Sequence, residues 1–475
     1  MAKLSRNDKQ FREFALSGQM GRVLLHVCLP LALFQLMNEL FKLLDTMLAA
    51  MISSSTVTAV AYLSQISVTI SALGGGLAAG SSIKVSEAFG AGDYDLVKER
   101  VSTLYAMCAL LSGVILAIFV PFTAPLLRLF HTPEAMIAQG TGYFILEIVG
   151  MVIGFFNSVY IAIERARGNS RRIFVLNLAM AITKLVLSAF FVLGWEPLGF
   201  GQPTITLLSL ATVLAQCVIM GAGLYFMRQK DNLFGFSLGS IHFRKAGPML
   251  RLSFPIIVEK FAFSYGKTVV NSMCVGEGLG YHPDTVGAVS VSNHVAGACL
   301  TIQNGIQEGG SAVISQNTGG EKPARALSGF KYMVLIDTVA GAMVTGLILL
   351  FLGPICTAYS AGNAEFAAMI AQVYHYEAIT VIPLGIVSAI MGLMYGVGKT
   401  KLTLVMNFCR VFVFRIPVLY YLQHFTTMGR TDGPNTIGLC LAVSNALYFT
   451  LAVVLAAVVV RKICKEHNLN FWTCK

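Results

Sequence analysis

Residues 27–52 read VCLPLALFQLMNELFKLLDTMLAAMI, an apolar run with three ionisable groups inside it, Glu39, Lys42 and Asp45. A helix of about 20 residues spans the hydrocarbon layer of roughly 30 Å. On insertion scales each charge at the centre of such a helix costs about 2.5–3.5 kcal/mol. Steps of three residues turn a helix by only about 60°, so the three groups share one side, and that side cannot face lipid. An internal ion cluster that locks helices together is one reading. Charge facing a cavity is the stronger one, because apolar packing would do the locking with less desolvation.

The rest of the chain extends the pattern. Of its 475 residues 56% are hydrophobic and 12% charged, against about 25% charged in soluble domains. Apolar segments of membrane length recur, centred near residues 36, 70, 110, 150, 183, 216, 262, 300, 340, 381, 411 and 448. The expectation is an all-α integral membrane protein with twelve transmembrane helices. The opening stretch is polar, basic and long, without the short n-region or small-residue cleavage site of a signal peptide. The ten cysteines are scattered, most of them inside spans, and neither a disulfide framework nor a zinc site is indicated.

The net charge of +11 is a topology signal. With the N-terminus inside, the inner segments carry 26 Lys and Arg residues and the outer loops only Arg128 and Arg430. Both termini are therefore expected in the cytoplasm of a multi-pass protein of the inner (cytoplasmic) cell membrane. Anionic lipid headgroups are partners of that basic face, and nucleic acid is not expected.

Across the polar connection 227–251 the sequence repeats. Pro30 and Lys42 match Pro255 and Lys267, 225 residues on. TVTAVA (56–61) matches TVGAVS (285–290), and KVSEAFGAGD (84–93) lies over VISQNTGGEK (313–322). Glu147, Gly168 and Asn177 match Glu377, Gly398 and Asn407, now 230 on. Such a stable offset marks an internal repeat. Six spans per repeat give parallel repeats, two six-helix lobes related by a pseudo-twofold axis along the membrane normal, with the substrate site between repeats. The boundaries are a tail over 1–20, an N-lobe over 21–230, a linker over 231–245, a C-lobe over 246–462 and a second tail over 463–475.

The candidate coupling acids are Asp45, Glu259, Glu377, Glu39 and Glu147, all inside apolar spans, with Glu147 and Glu377 a symmetric pair. Lys42, Lys184, Lys267, Arg410 and Arg415 are the candidate cavity charge partners, and the two arginines require acidic or carbonyl partners. Glu308 and Asp337 are read as neutralising basic neighbours. There is no GxxxxGK[ST], so ATP hydrolysis is not encoded; GVGKT (396–400) lacks the first glycine. His294 and His375 are isolated. Neither a catalytic constellation nor a cofactor is indicated.

LLDTMLAAMISSSTVTAVAYLSQ (43–65), followed by EAFGAGD (87–93), resembles the multidrug and toxic compound extrusion (MATE) transporters of the MOP flippase superfamily. Pro30, Asp45, the turn Gly90–Asp93, ISQNTGG (314–320), RARGNS (165–170) and RVFVFRIPVLYYL (410–422) carry the likeness over nearly the whole chain. The resemblance implies secondary active efflux of cationic or amphipathic small molecules in exchange for protons or sodium, by alternating access of a monomer. It makes Asp45 a cation-coupling residue, with sodium near it the one metal expectation. Where the family often has Asn and Asp in the fifth span, this chain has Lys184 and Ser188. An ammonium beside Asp45 would stand in for a bound cation, which moves the coupling weight to Glu259 and Glu377. The alternative is a flippase or exporter of a lipid-linked or anionic metabolite, which the five membrane cations would suit. A channel or receptor has less need of a tandem repeat with charges at matched depths.

The charge asymmetry places the turns at Gly90–Asp93, Gly168–Arg172, Gly319–Lys322 and Gly398–Lys401 inside. A lone cysteine at Asp93 should resist an impermeant thiol reagent added to intact cells and react after permeabilisation; labelling from outside would overturn the topology.

Overall fold

The computed structural model describes residues 5–52, 54–129, 134–194, 205–229, 232–274, 281–282, 284–360 and 363–474, and its description of side chains leaves out 40–66. Among the described residues there are helices and turns and no strand. Ten helices among the described residues are long and apolar enough to cross a membrane. Ser54–Ala91 and Gly247–Met273 are two further long helices; the latter carries Arg251, Glu259, Lys260 and Lys267, which lower its hydropathy.

The chain divides into two compact units, Met1–Ser17 with Leu33–Ile257 and Gly18–Ala32 with Val258–Lys475. In order the helices are α1 (Arg6–Ser17), α2 (Met20–Ile52), α3 (Ser54–Ala91), α4 (Tyr94–Phe119), α5 (Thr123–Leu129), α6 (Glu134–Ala166), α7 (Ser170–Ala189), α8 (Ile205–Met227) and α9 (Gly247–Met273). They continue with α10 (Thr285–Gly319), α11 (Pro323–Leu350), α12 (Leu352–Tyr359), α13 (Ala364–Gly396), α14 (Thr400–Phe408), α15 (Ile416–Phe425), α16 (Met428–Thr431) and α17 (Gly433–Glu466). The division falls inside α2 and α9, in each case just past the matched prolines, Pro30 and Pro255. A proline deletes one rung of the helical hydrogen-bond ladder, so both helices are weakest where they change units.

In the first unit α6 packs against α3, α4 and α8. Phe89, Val101, Leu104, Phe144, Ile148, Phe155 and Ile163 form its core, and Phe234 of the 231–245 stretch is buried among them. That stretch, read as a linker, is held to this unit: the Ser237 and His242 N–H groups donate to Ser102 Oγ and Thr103 Oγ1, each at 3.1 Å. In the second unit α13 is central and packs on α10, α11 and α17. Gly305 of α10 comes so near Ala32 that an added Cβ would lie 2.6 Å from its Cα.

The N-terminal stretch read as a tail is a helix bonded to the first unit. Arg12 donates to the carbonyl oxygens of Phe89 (3.0 Å) and Gly90 (2.8 Å), capping the end of α3. Buried Asp8 takes a two-pronged contact from Arg167, at 2.9 and 3.0 Å, and Arg167 also reaches Glu164 at 3.1 Å. Burial works against the Arg167 charge, but Glu164 and Asp8 hold the guanidinium above its ordinary range.

Gly92, Gly168 and Gly398 have φ of 81°, 81° and 71°. Gly168 and Gly398 are repeat mates. Gly92 matches Glu321, which keeps the left-handed backbone at φ 56° without being glycine. At Gly168 a Cβ would also run into the Phe11 ring. Gly168→Ala should therefore lose about 1–2 kcal/mol to backbone strain alone and loosen α1. We expect a lower apparent Tm in detergent and faster tryptic cleavage at Arg12, while Gly221→Ala, with open space around it, should behave as the parent.

Candidate functional site

The second unit buries two of the candidate acids. Glu259 lies one turn past Pro255 on α9 and is 5% exposed. Tyr395 at the end of α13 donates to its Oε1 at 2.8 Å, Thr403 to its Oε2 at 2.7 Å and Asn407 to its Oε1 at 2.7 Å. Thr403 and Asn407 are four apart on α14, which sets both on one face. Tyr448 of α17 donates to Asn407 Oδ1 at 2.8 Å and so fixes the amide orientation. All three groups bonded to the carboxylate are neutral.

Glu377 on α13 is also buried, and Ser292 of α10 donates to its Oε2 at 2.5 Å. One turn on, Thr380 donates to the Glu377 carbonyl oxygen (2.8 Å) and accepts from Asn445 of α17 (3.2 Å). Asn445 Oδ1 in turn accepts from Arg415 (3.0 Å) and Arg410 (3.3 Å), and Arg415 also donates to Ser444 (3.3 Å). The arginines thus meet an amide carbonyl and a hydroxyl, with no carboxylate bonded to them among the described residues. Arg410 stacks over the Tyr448 ring at 5.0 Å. A polar chain therefore runs from the Glu259 carboxylate through Asn407 and Tyr448 to Arg410, then through Asn445 and Thr380 to the main-chain carbonyl of Glu377.

The backbone helps to assemble it. Cys409–Arg415 is a π-helix. Residues five apart would lie about 140° apart on an α-helix. The wider i→i+5 turn brings Arg410 and Arg415 near one face, where both reach Asn445.

The other candidates are dispersed. Lys267 is exposed, with its Nζ 5.0 Å from the Phe263 ring centroid. In the first unit Glu147 is half-buried and accepts from Ser209 at 3.3 Å; Lys184 and Glu39 are half-buried. Lys42 and Asp45, and with them the expected sodium site, lie outside the described side chains. Asp337, read as neutralising basic neighbours, is instead fully buried on α11, and no base bonds to it among the described residues.

The lobes differ chemically at matched places. The 225-residue offset puts Phe34 where Glu259 stands. Asn177, mate of Asn407, turns back to the Ile173 carbonyl at 2.8 Å. It lines a cavity of about 10 Å³ with Phe34, Asn38 and Phe174. Tyr395, Thr403, Asn445, Tyr448 and Ser292 were not singled out from sequence; polar residues inside apolar spans near a buried acid were the available signal.

If Tyr448 holds Asn407 for Glu259, Tyr448→Phe should lower stability by about 1–2 kcal/mol, since it leaves a buried amide oxygen unpaired. A double cycle with Asn407→Ala, read by thermal unfolding, should show coupling above about 0.5 kcal/mol. Strict additivity would break the chain at that link.

Comparison with known proteins fits this architecture. The sequence profile of the MatE family matches residues 30–190 and 255–421. The probable multidrug resistance protein YoeA of Bacillus subtilis (strain 168) is 21% identical over 360 residues, 74% of this chain and 76% of its own length. An FAD transporter of Shewanella oneidensis is 21% identical over 452 residues, 92% and 94% of the two chains. The crystal structure of a MATE protein in complex with MaL6 superposes with a TM-score of 0.88 at 16% identity, covering 97% of this chain and 100% of the other. MATE transporters have twelve helices in two lobes, the fold expected from the sequence. The matched span covers most of both repeats, and this chain belongs to the MatE family of multidrug and toxic compound extrusion transporters.

Proposed function

We propose that the chain exports cationic or amphipathic small molecules across the cytoplasmic membrane in exchange for protons or sodium, with Glu259 and Glu377 as the coupling acids. The observation that carries this reading is the shell of Glu259. Three neutral donors hold a buried carboxylate, so a proton or sodium ion is the charge that completes it. The polar chain to Glu377 supplies a route by which occupancy at one acid is felt at the other. In this reading the protein is a monomeric carrier that makes and breaks no covalent bond, binds no resident cofactor and contacts only substrate, ion and lipid. Its termini and basic turns face the cytoplasm.

A second reading has a specific observation behind it. Arg410 and Arg415 crowd one amide oxygen, and the buried Arg410 Nε has no hydrogen-bond partner among the described residues. Two guanidiniums with no carboxylate bonded to them among the described residues suit an anionic substrate, a lipid-linked or anionic metabolite. A relative that is an FAD transporter is in keeping with this.

Purified protein in liposomes with an imposed proton or sodium gradient tests both. Glu259→Gln with Glu377→Gln should fold and lose ion-driven ethidium export at least tenfold. Full export by the double variant would refute the coupling assignment. Gradient-driven uptake of FAD with no ethidium transport would favour the anionic reading.

A further inference from the structure

The inward stripe of α11 is Met333, Asp337, Gly341 and Thr345, each four residues on and all buried. Its register is fixed by Met333, whose thioether fills the space that a Cβ on Gly310 of α10 or on Gly392 of α13 would need. Asp337 is therefore pinned between α10 and α13 and is 0% exposed. Neither of its carboxylate oxygens has a hydrogen-bond partner among the described residues.

Gln303 of α10 sits beside it. Cβ atoms on Gly341 and Gly385 would lie 3.0 and 2.5 Å from Gln303 Nε2, and that of Gly385 also 3.3 Å from the Asp337 carbonyl oxygen. Gln303 Nε2 donates to the Val381 carbonyl at 3.2 Å, whereas its Oε1 accepts nothing among the described residues. The Asp337 side chain and the Gln303 amide thus lie in one buried region, and their three side-chain oxygens have no donor among the described residues. Cys299, one turn before Gln303 on α10, is near enough to interact electrostatically with Asp337. The α13 side brings uncharged Val381 and Gly385, with Tyr374 beyond Cys299, and α12 begins fifteen residues further along the chain.

A bare carboxylate in such surroundings is strongly disfavoured, because neither water nor a donor replaces its lost hydration. Glu259 and Glu377 replace theirs with protein donors; Asp337 has none among the described residues. An acceptor-only set of oxygens carrying one negative charge is complementary to a single hard monovalent cation. We propose that Asp337 with Gln303 binds one small monovalent cation, a proton or a sodium ion, at a site separate from Glu259 and Glu377. The role of that ion in transport rests on the exporter reading above; its binding does not.

The test uses full-length purified protein. Infrared difference spectra between high and low pH in sodium-free buffer read proton binding, and calorimetric titration with sodium chloride, choline replacing sodium, reads the other source. In one of the two, Asp337→Asn should abolish a signal of the parent: the protonated-carboxyl stretching band, or sodium binding weakened at least tenfold. Gln303→Met keeps the charge and shape while removing the amide oxygen, and should shift the band or weaken sodium binding at least threefold. It serves where the Asn variant does not fold. The Glu259→Gln, Glu377→Gln double variant should retain the Asp337-dependent signal even though export is lost. Spectra and titrations unchanged in both Asp337→Asn and Gln303→Met overturn the proposal, as does loss of the signal in the double variant. If instead the double variant still exports while the Asp337 signal persists, the coupling assignment fails and this site stands.

Discussion

Hydrocarbon offers no hydrogen bonds, so each polar group in these lobes has to be matched from within the protein. The second unit meets that constraint at Glu259 with a phenol, a hydroxyl and an amide, and with no cation bonded to it among the described residues. The choice matters more than the burial. A guanidinium at that place would close the site as a permanent pair, whose desolvation offsets most of its attraction. Neutral donors orient the carboxylate and leave its charge to be met by something mobile. The arginines of this unit stand apart from the acid's first contacts, linked to it through Asn407, Tyr448 and Asn445.

The repeat is kept more strictly in backbone than in chemistry. Gly168 and Gly398 hold the same left-handed turn, and Glu321 holds the conformation of Gly92 although a side chain makes it unfavourable. Yet Phe34 replaces the acid, and Asn177 satisfies itself on its own helix. The two repeats thus share a backbone plan and differ in chemistry at this place. The same packing rules permit this, because a half-buried Phe34 and a buried Glu259 with its donors both fill space without an orphaned side-chain polar atom.

The fold was largely readable because span length is imposed by the bilayer, and a run such as 27–52 has few other uses. Glu259, Glu377, Arg410 and Arg415 were visible for the same reason: charge is conspicuous in apolar sequence. Their partners were not. Thr403, Asn407 and Tyr448 look like the neutral polar residues that membrane helices carry routinely, and only packing shows which face is inward. The π-helix at 409–415 leaves no composition signal, so the meeting of Arg410 and Arg415 was hidden. Asp337 was misjudged because nearby basic residues in sequence suggested a neutralising role, whereas the stripe from Met333 to Thr345 buries it with no base bonded to it among the described residues. The helix over Arg6–Ser17 was read as tail because its charges suggested water; Asp8 and Arg12 are spent on protein contacts instead.

The π-helix also lets its segment absorb a change of length. Removal of one residue within 411–414 would let the wide turn relax to α-geometry. Arg410 and Arg415 would then stand four apart, about 40° from each other around the helix, and would still share one face toward Asn445. An ordinary α-helical segment has no such slack: there a lost residue turns everything beyond it by about 100°. Across relatives, then, this stretch should tolerate the loss of one residue better than the α-helical segments on either side of it.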